Sequence, residues 1–253
     1  MRFFWKLLTV LGVNGVMLWG LGFDGWTGPT ALAVYWVENL ISSVLIAVRI
    51  ALHRWFTGKR GHFRAQLGVK VTTGEADGQK ERECRSFLVE FLTGSLVFTA
   101  GHAIFLAILL YGLFKSSPDA DALWVGVAGV GAFQFAGFVA DVFGLKERPF
   151  AWIKFVAQAG LGRVAFIHIA IIAGMVAVAA TKRDTAFFLP FAGLKLLVEF
   201  GSVFGSERRI ERAPAWLVWL MNRLKPGGDF AAELATENER ERAREAEDEE
   251  VVR

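Results

Sequence analysis

The sequence predicts an all-α protein, a polytopic membrane helix bundle of about six transmembrane helices followed by a short C-terminal interfacial helix. Three observations predict it. The 253 residues are 54% apolar, with 23 Phe and 9 Trp, and the mean hydropathy is +0.40. The apolar residues are gathered into blocks that match a bilayer: a helix rising ~1.5 Å per residue needs ~20 residues to cross ~30 Å of hydrocarbon. Lys and Arg collect in alternate intervals between those blocks, the asymmetry that orients membrane helices.

Taken in order, the first block is Leu7 to Phe23, which follows Arg2 and Lys6. Its exit, Gly20-Leu-Gly-Phe-Asp-Gly-Trp, lacks a clean small-x-small cleavage pattern, so it reads as an uncleaved first span and not as a leader. Pro29 to Val48 is the second and carries Glu38; Phe91 to Phe114, Leu123 to Ala140 and Val164 to Ala180 are free of Lys, Arg, Asp and Glu. Thr185 to Phe204 is the sixth and contains Lys195 and Glu199. The predicted organisation is a six-span domain over 1–207 with a cytoplasmic loop at about 53–85, an interfacial amphipathic helix over 208–228, and a charged tail over 229–253.

Between the second and third spans, Arg49 to Arg85 holds nine basic against four acidic residues, which keeps that loop cytoplasmic. Arg2, Lys6, Lys146, Arg148, Lys154, Arg208, Arg209 and Arg212 then lie on the same side, leaving Lys115, Lys182 and Arg183 for the other. Both termini are therefore expected in the cytoplasm of a cell whose inner or plasma membrane holds the chain. The tail from Asp229 has a net charge of −6 against +3 for the whole. The rest is a basic face suited to anionic lipid, and the tail reads as solvated, partly helical or disordered. The single Cys84 sits in the charged loop and excludes an internal disulfide or a cysteine zinc cluster.

A charge at bilayer depth costs on the order of 3 kcal/mol, so each one needs a partner or a cavity. Tyr35, Glu38 and Ser42 share a face of the second span, with Asn39 adjacent; Ser95, Thr99 and His102 form a stripe on the third. Gln134 and Asp141 share a face of the fourth, where Ala128, Ala132, Ala136 and Ala140 recur every four residues. That small-residue stripe allows close helix packing and offers a face for a homo-oligomer. Arg163 and His168 mark the fifth span; Lys195 and Glu199 on the sixth are an i,i+4 pair able to neutralise itself.

Four stretches carry a resemblance: Tyr35-Trp-Val-Glu-Asn, Gly101-His-Ala-Ile-Phe, Arg163 through Gly174, and Leu194-Lys-Leu-Leu-Val-Glu. In this order they resemble the signature stretches of an uncharacterised family of polytopic prokaryotic membrane proteins, a domain of unknown function. The resemblance implies a multi-span fold with Glu38, Asn39, His102, Arg163, His168 and Lys195 at motif positions, and Glu199 where the pattern carries Asp. It implies no activity.

Metalloprotease, cysteine-pair and nucleotide-loop motifs are absent, and the basic residues are explained by topology without nucleic acid. Three functional readings stand. Glu38, His102, His168, Lys195 and Glu199, on four helices, suit a proton- or ion-linked transport path. His102 and His168 with Glu38 and Glu199 would alternatively suit Zn²⁺ or Fe in a membrane-embedded enzyme acting on lipid or amide. The third is a non-catalytic scaffold or regulator whose polar groups bond across helices.

Overall fold

The computed structural model describes residues 2–68, 86–181, 188–204, 215–224 and 229–252. Cys84, Lys182, Arg183 and the Arg208, Arg209 and Arg212 group lie outside them, as does the side chain of His168. Among the described residues the fold is helical, with no strand beyond one isolated antiparallel bridge between Lys59 and Val251. The helices are α1 (Arg2–Gly22), α2 (Gly28–Thr57), α3 (Phe87–Ala107), α4 (Ala120–Val142), α5 (Phe150–Thr181), α6 (Phe188–Phe204), α7 (Ala215–Leu224) and α8 (Phe230–Asp248). Four of them, counting the π-helical extension of α3, are long and apolar enough to cross a membrane: Phe4–Gly22, Gly28–Thr57, Phe87–Gly112 and Ala120–Val142.

Local chemistry sets several ends. Pro29 occupies the first turn of α2, where its missing N–H costs nothing, and Gly58 ends that helix at φ 59 with its N–H on the Arg54 carbonyl. Asp119 caps α4 by accepting from the Ala122 N–H at 2.8 Å, and Asp229 caps α8 by accepting from Ala231 and Ala232.

Helices α2 and α4 begin at one end of the bundle, and α3 and α5 begin at the other. At one end, Thr30 at the start of α2 accepts from the Asp119 N–H at the start of α4. At the other, which we call the basic end, the close of α2 meets the turn before α5, where His53 lies 3.0 Å from the Arg148 carbonyl. α2 is central and packs on α3, α4 and α5, while α1 lies between α4 and α6. The close approaches to α4 are made at glycine: a Cβ on Gly126 would sit 2.4 Å from the Trp26 ring, and one on Gly137 would sit 2.7 Å from Thr9 Oγ1. Ala136, within the alanine stripe, is exposed.

Near the basic end lies the core cluster with the most buried apolar residues among those described, in which Ile46, Ile50, Phe87, Phe91, Leu145, Phe150 and Ile153 are buried together. Outward faces are as apolar as the core. Leu18, Val44, Leu96, Val97, Ile104, Val125, Phe135, Ile172 and Leu197 are all exposed. Apolar surface on this scale exceeds what a water-soluble monomer leaves uncovered and suits a hydrocarbon solvent.

Candidate functional site

Polar residues from three helices meet inside the bundle. Lys195 of α6 is 2% exposed, and its Nζ lies 3.2 Å from Glu38 Oε1, 3.0 Å from Glu199 Oε1 and 3.0 Å from Asn14 Oδ1. Asn14 Oδ1 accepts a hydrogen bond from the ammonium, and the two carboxylate oxygens face it as ion pairs. Asn14 of α1 closes the ring by donating from Nδ2 to Glu199 Oε2 at 2.5 Å, and it also donates to the Val10 carbonyl. The Lys195 ammonium stands 5.9 Å from the Tyr35 ring, and that ring packs edge-on against Phe191.

The i,i+4 pairing expected of Lys195 and Glu199 is present, and Glu38 joins it from α2. Asn14 is a member that the sequence reading passed over. Its signal was available, because it is the one amide in the charge-free block Leu7 to Phe23.

A cavity of about 200 Å³ runs from Glu38 and Glu199 between α1, α2, α4 and α5 to Lys6, Arg49 and Asp141 toward the basic end. Arg49 and Asp141 form an ion pair across it at 3.1 Å, joining α2 to α4. Arg163 of α5 donates to Ser42 Oγ at 3.3 Å, and Gln134 donates from Nε2 to the Glu38 carbonyl at 3.2 Å. Glu38 Oε2 and Gln134 Oε1 are buried without a hydrogen-bond partner among the described residues.

His102 and Asn39 lie elsewhere. They line a second, smaller pocket with Trp36, Ser43, Ser95 and Thr99. Trp36 there donates to the Thr99 carbonyl at 3.3 Å and Asn39 to the Tyr35 carbonyl at 3.2 Å. Of the expected residues, Glu38, Arg163, Lys195 and Glu199 therefore come together around the first cavity and its cluster. The proposed metal set divides, with Glu38 at the first pocket and His102 at the second. No group of three or more His, Cys, Asp or Glu suited to a metal occurs among the described residues.

A second buried polar group lies at the basic end. His53 Nδ1 and His62 Nε2 are 2.7 Å apart, and His53 Nε2 faces the Arg148 carbonyl. A carbonyl only accepts, so His53 carries its proton on Nε2 and, when neutral, accepts at Nδ1 from His62 Nε2–H. Burial pushes His62 down to about 3, helped by the neighbouring His53, Arg54 and Lys59. His62 is thereby held neutral beneath the end of α8.

There Lys59 pairs with Glu249 at 2.5 Å, Arg60 with Glu250 at 2.7 Å, and Arg64 with Glu247 at 2.8 Å. Gln66 donates to both oxygens of Asp248, and the Phe150 N–H donates to Glu249. Backbone bonds from Arg60 to Glu250 and from Val252 to Gly58 complete a clasp. The tail, expected to be solvated and partly helical or disordered, is a mostly exposed helix whose far end is held, with Asp248 3% exposed. Its net negative charge is what lets it dock on the basic loop.

The whole-chain comparison fits this picture of a helical bundle. Residues 4–246 match a family of unknown function (DUF6498). The chain belongs to that family. No curated protein matches it, and no solved structure does. The DUF6498 match spans all of the bundle and most of α8, so the tail up to Ala246 is part of the family's extent.

Proposed function

We propose that this chain is a six-span carrier for proton- or ion-linked transport, in which the Asn14–Glu38–Lys195–Glu199 cluster is the switch at the inner end of the solute cavity. One observation carries the reading: a cavity ends on two buried carboxylates that share one buried ammonium between two helices. As a device for stability alone this is a poor arrangement, because apolar residues of similar volume stabilise a core as well or better.

As a switch it has a clear mode. Glu38 on α2 and Glu199 on α6 compete for Lys195 on α6. Protonating Glu38 removes its half of that competition and leaves Lys195 with the carboxylate of its own helix. The tie between α2 and α6 then weakens, coupling proton occupancy to helix separation. Intramembrane carboxylates and lysines serve proton pathways for this reason. In the same reading both termini and the basic end face the cytoplasm of a cell membrane, against anionic lipid, and the exposed edge of the Ala128, Ala132, Ala136 and Ala140 stripe is left for a second copy.

The test is pH-driven solute uptake by the purified chain in liposomes. Glu38→Gln, which imitates the protonated carboxyl, is expected to abolish uptake while the protein still elutes as a folded species. An unchanged uptake rate in Glu38→Gln would overturn the proposal.

A further inference from the structure

The inner end of the cavity offers both signs of charge in balance. Arg163 on the lining and Lys195 paired behind it stand against Glu38 and Glu199, so this end has no formal charge left over with which to attract a simple ion. Its open hydrogen-bonding capacity is also of both kinds. Arg163 donates one long bond, 3.3 Å to Ser42, and although its charge faces Glu38 and Glu199, most of its five donors have no hydrogen-bond acceptor among the described residues. Gln134 Oε1 and Glu38 Oε2, from α4 and α2, are buried acceptors without a partner among those residues. All three side chains line the same cavity.

Those groups specify a ligand by elimination. A bare anion would satisfy Arg163 and leave both acceptors orphaned. A bare cation would do the reverse, and an apolar solute would leave all of them unpaired, which burial penalises. We propose that the cavity binds a small zwitterion, an α-amino acid, with its carboxylate on Arg163 and its ammonium shared by Glu38 Oε2 and Gln134 Oε1. A planar guanidinium suits a carboxylate in particular, because its donors match the two oxygens. The volume of about 200 Å³ lies below the ~300–1,000 Å³ of sites that hold drug-sized ligands. It therefore restricts the amino acid to a small side chain, accommodated beside Val13 and Ile46. This assignment rests on reading the cavity as the solute site.

The experiment is equilibrium binding of radiolabelled L-alanine to the purified full chain in nanodiscs, with glycine, acetate and methylammonium as competitors. Saturable alanine binding is expected, displaced by glycine and not by acetate or methylammonium at about tenfold higher concentration. Arg163→Gln and Gln134→Leu, checked for unchanged helical content and elution, should each weaken binding about tenfold or more, as loss of a buried bonding partner does. Acetate or methylammonium displacing alanine as well as glycine does would overturn the assignment. So would folded wild-type protein that binds no alanine, or Arg163→Gln that binds it normally. Since the readout is binding, alanine held by a chain that supports no pH-driven flux sinks the transport reading and keeps the ligand. Flux without alanine binding does the opposite.

Discussion

Lys195 inside the bundle and Lys59 at its basic end are both paired with carboxylates, yet the two pairings are physically different objects. The Lys195 side chain is 1% exposed and those of its partners 0% and 6%, whereas Lys59 and Glu249 are 15% and 35% exposed and Arg60 and Glu250 39% and 55%. In the first region each charge depends on the others, because water cannot replace a missing partner. In the second, water and salt compete with every pair and backbone bonds share the work. The interior cluster therefore constrains what the protein can do, and the clasp is a reversible attachment.

The contrast breaks first at Lys195. Lys195→Met strands two like charges, and unfolding in detergent should show a loss of roughly 3–5 kcal/mol. Adding Glu38→Gln and Glu199→Gln should recover much of it. If the single variant is as stable as the parent, the interior cluster is no more demanding than the clasp. A packing control comes next: Gly126→Val drives a side chain into Trp26 and Val34. It should cost about 1–3 kcal/mol by the same assay, as overpacked cores do.

The third test concerns pH at the basic end. His62 is held neutral when folded, with a value of about 3 against 6.5 when free. The unfolded chain therefore takes up the proton first as pH falls. Its contribution to stability is full above pH 6.5 and is lost progressively from there down to about 3. Unfolding midpoints measured across that window should fall, and His62→Gln should flatten the slope. The smallest effect belongs to the clasp. Arg64→Ala, or 1 M salt, should leave the global midpoint nearly unchanged while hydrogen exchange quickens in residues 58–66 and at the end of α8. A large drop in midpoint would place the clasp in the same class as the interior.

The sequence made the bundle readable because apolar length is a local property, written in each block separately. That Glu38, Lys195 and Glu199 would seek partners inside the bundle was readable for a related reason: a charge in an apolar helix needs a partner, and few were on offer. What escaped was whatever depends on which helices become neighbours. His102 and Glu38 come from adjacent helices, α3 and α2, yet they open onto different pockets, and helix periodicity alone does not say how two stripes are rotated against each other. Asn14 was overlooked because an uncharged amide gives a faint signal. His53 and His62 drew no attention because one closes a span and the other sits in a basic loop, where a lone histidine is ordinary. The docked end of α8 was hidden by composition, since a strongly charged segment reads as solvated until its complement is known.

The clasp joins residues that lie 183 positions apart, from Arg64 to Glu247. On a growing chain, Lys59, Arg60 and Arg64 are made before every later helix, and their partners Glu249, Glu250 and Glu247 come last. The clasp is thereby a contact that only the finished chain can make, a buckle fastened last.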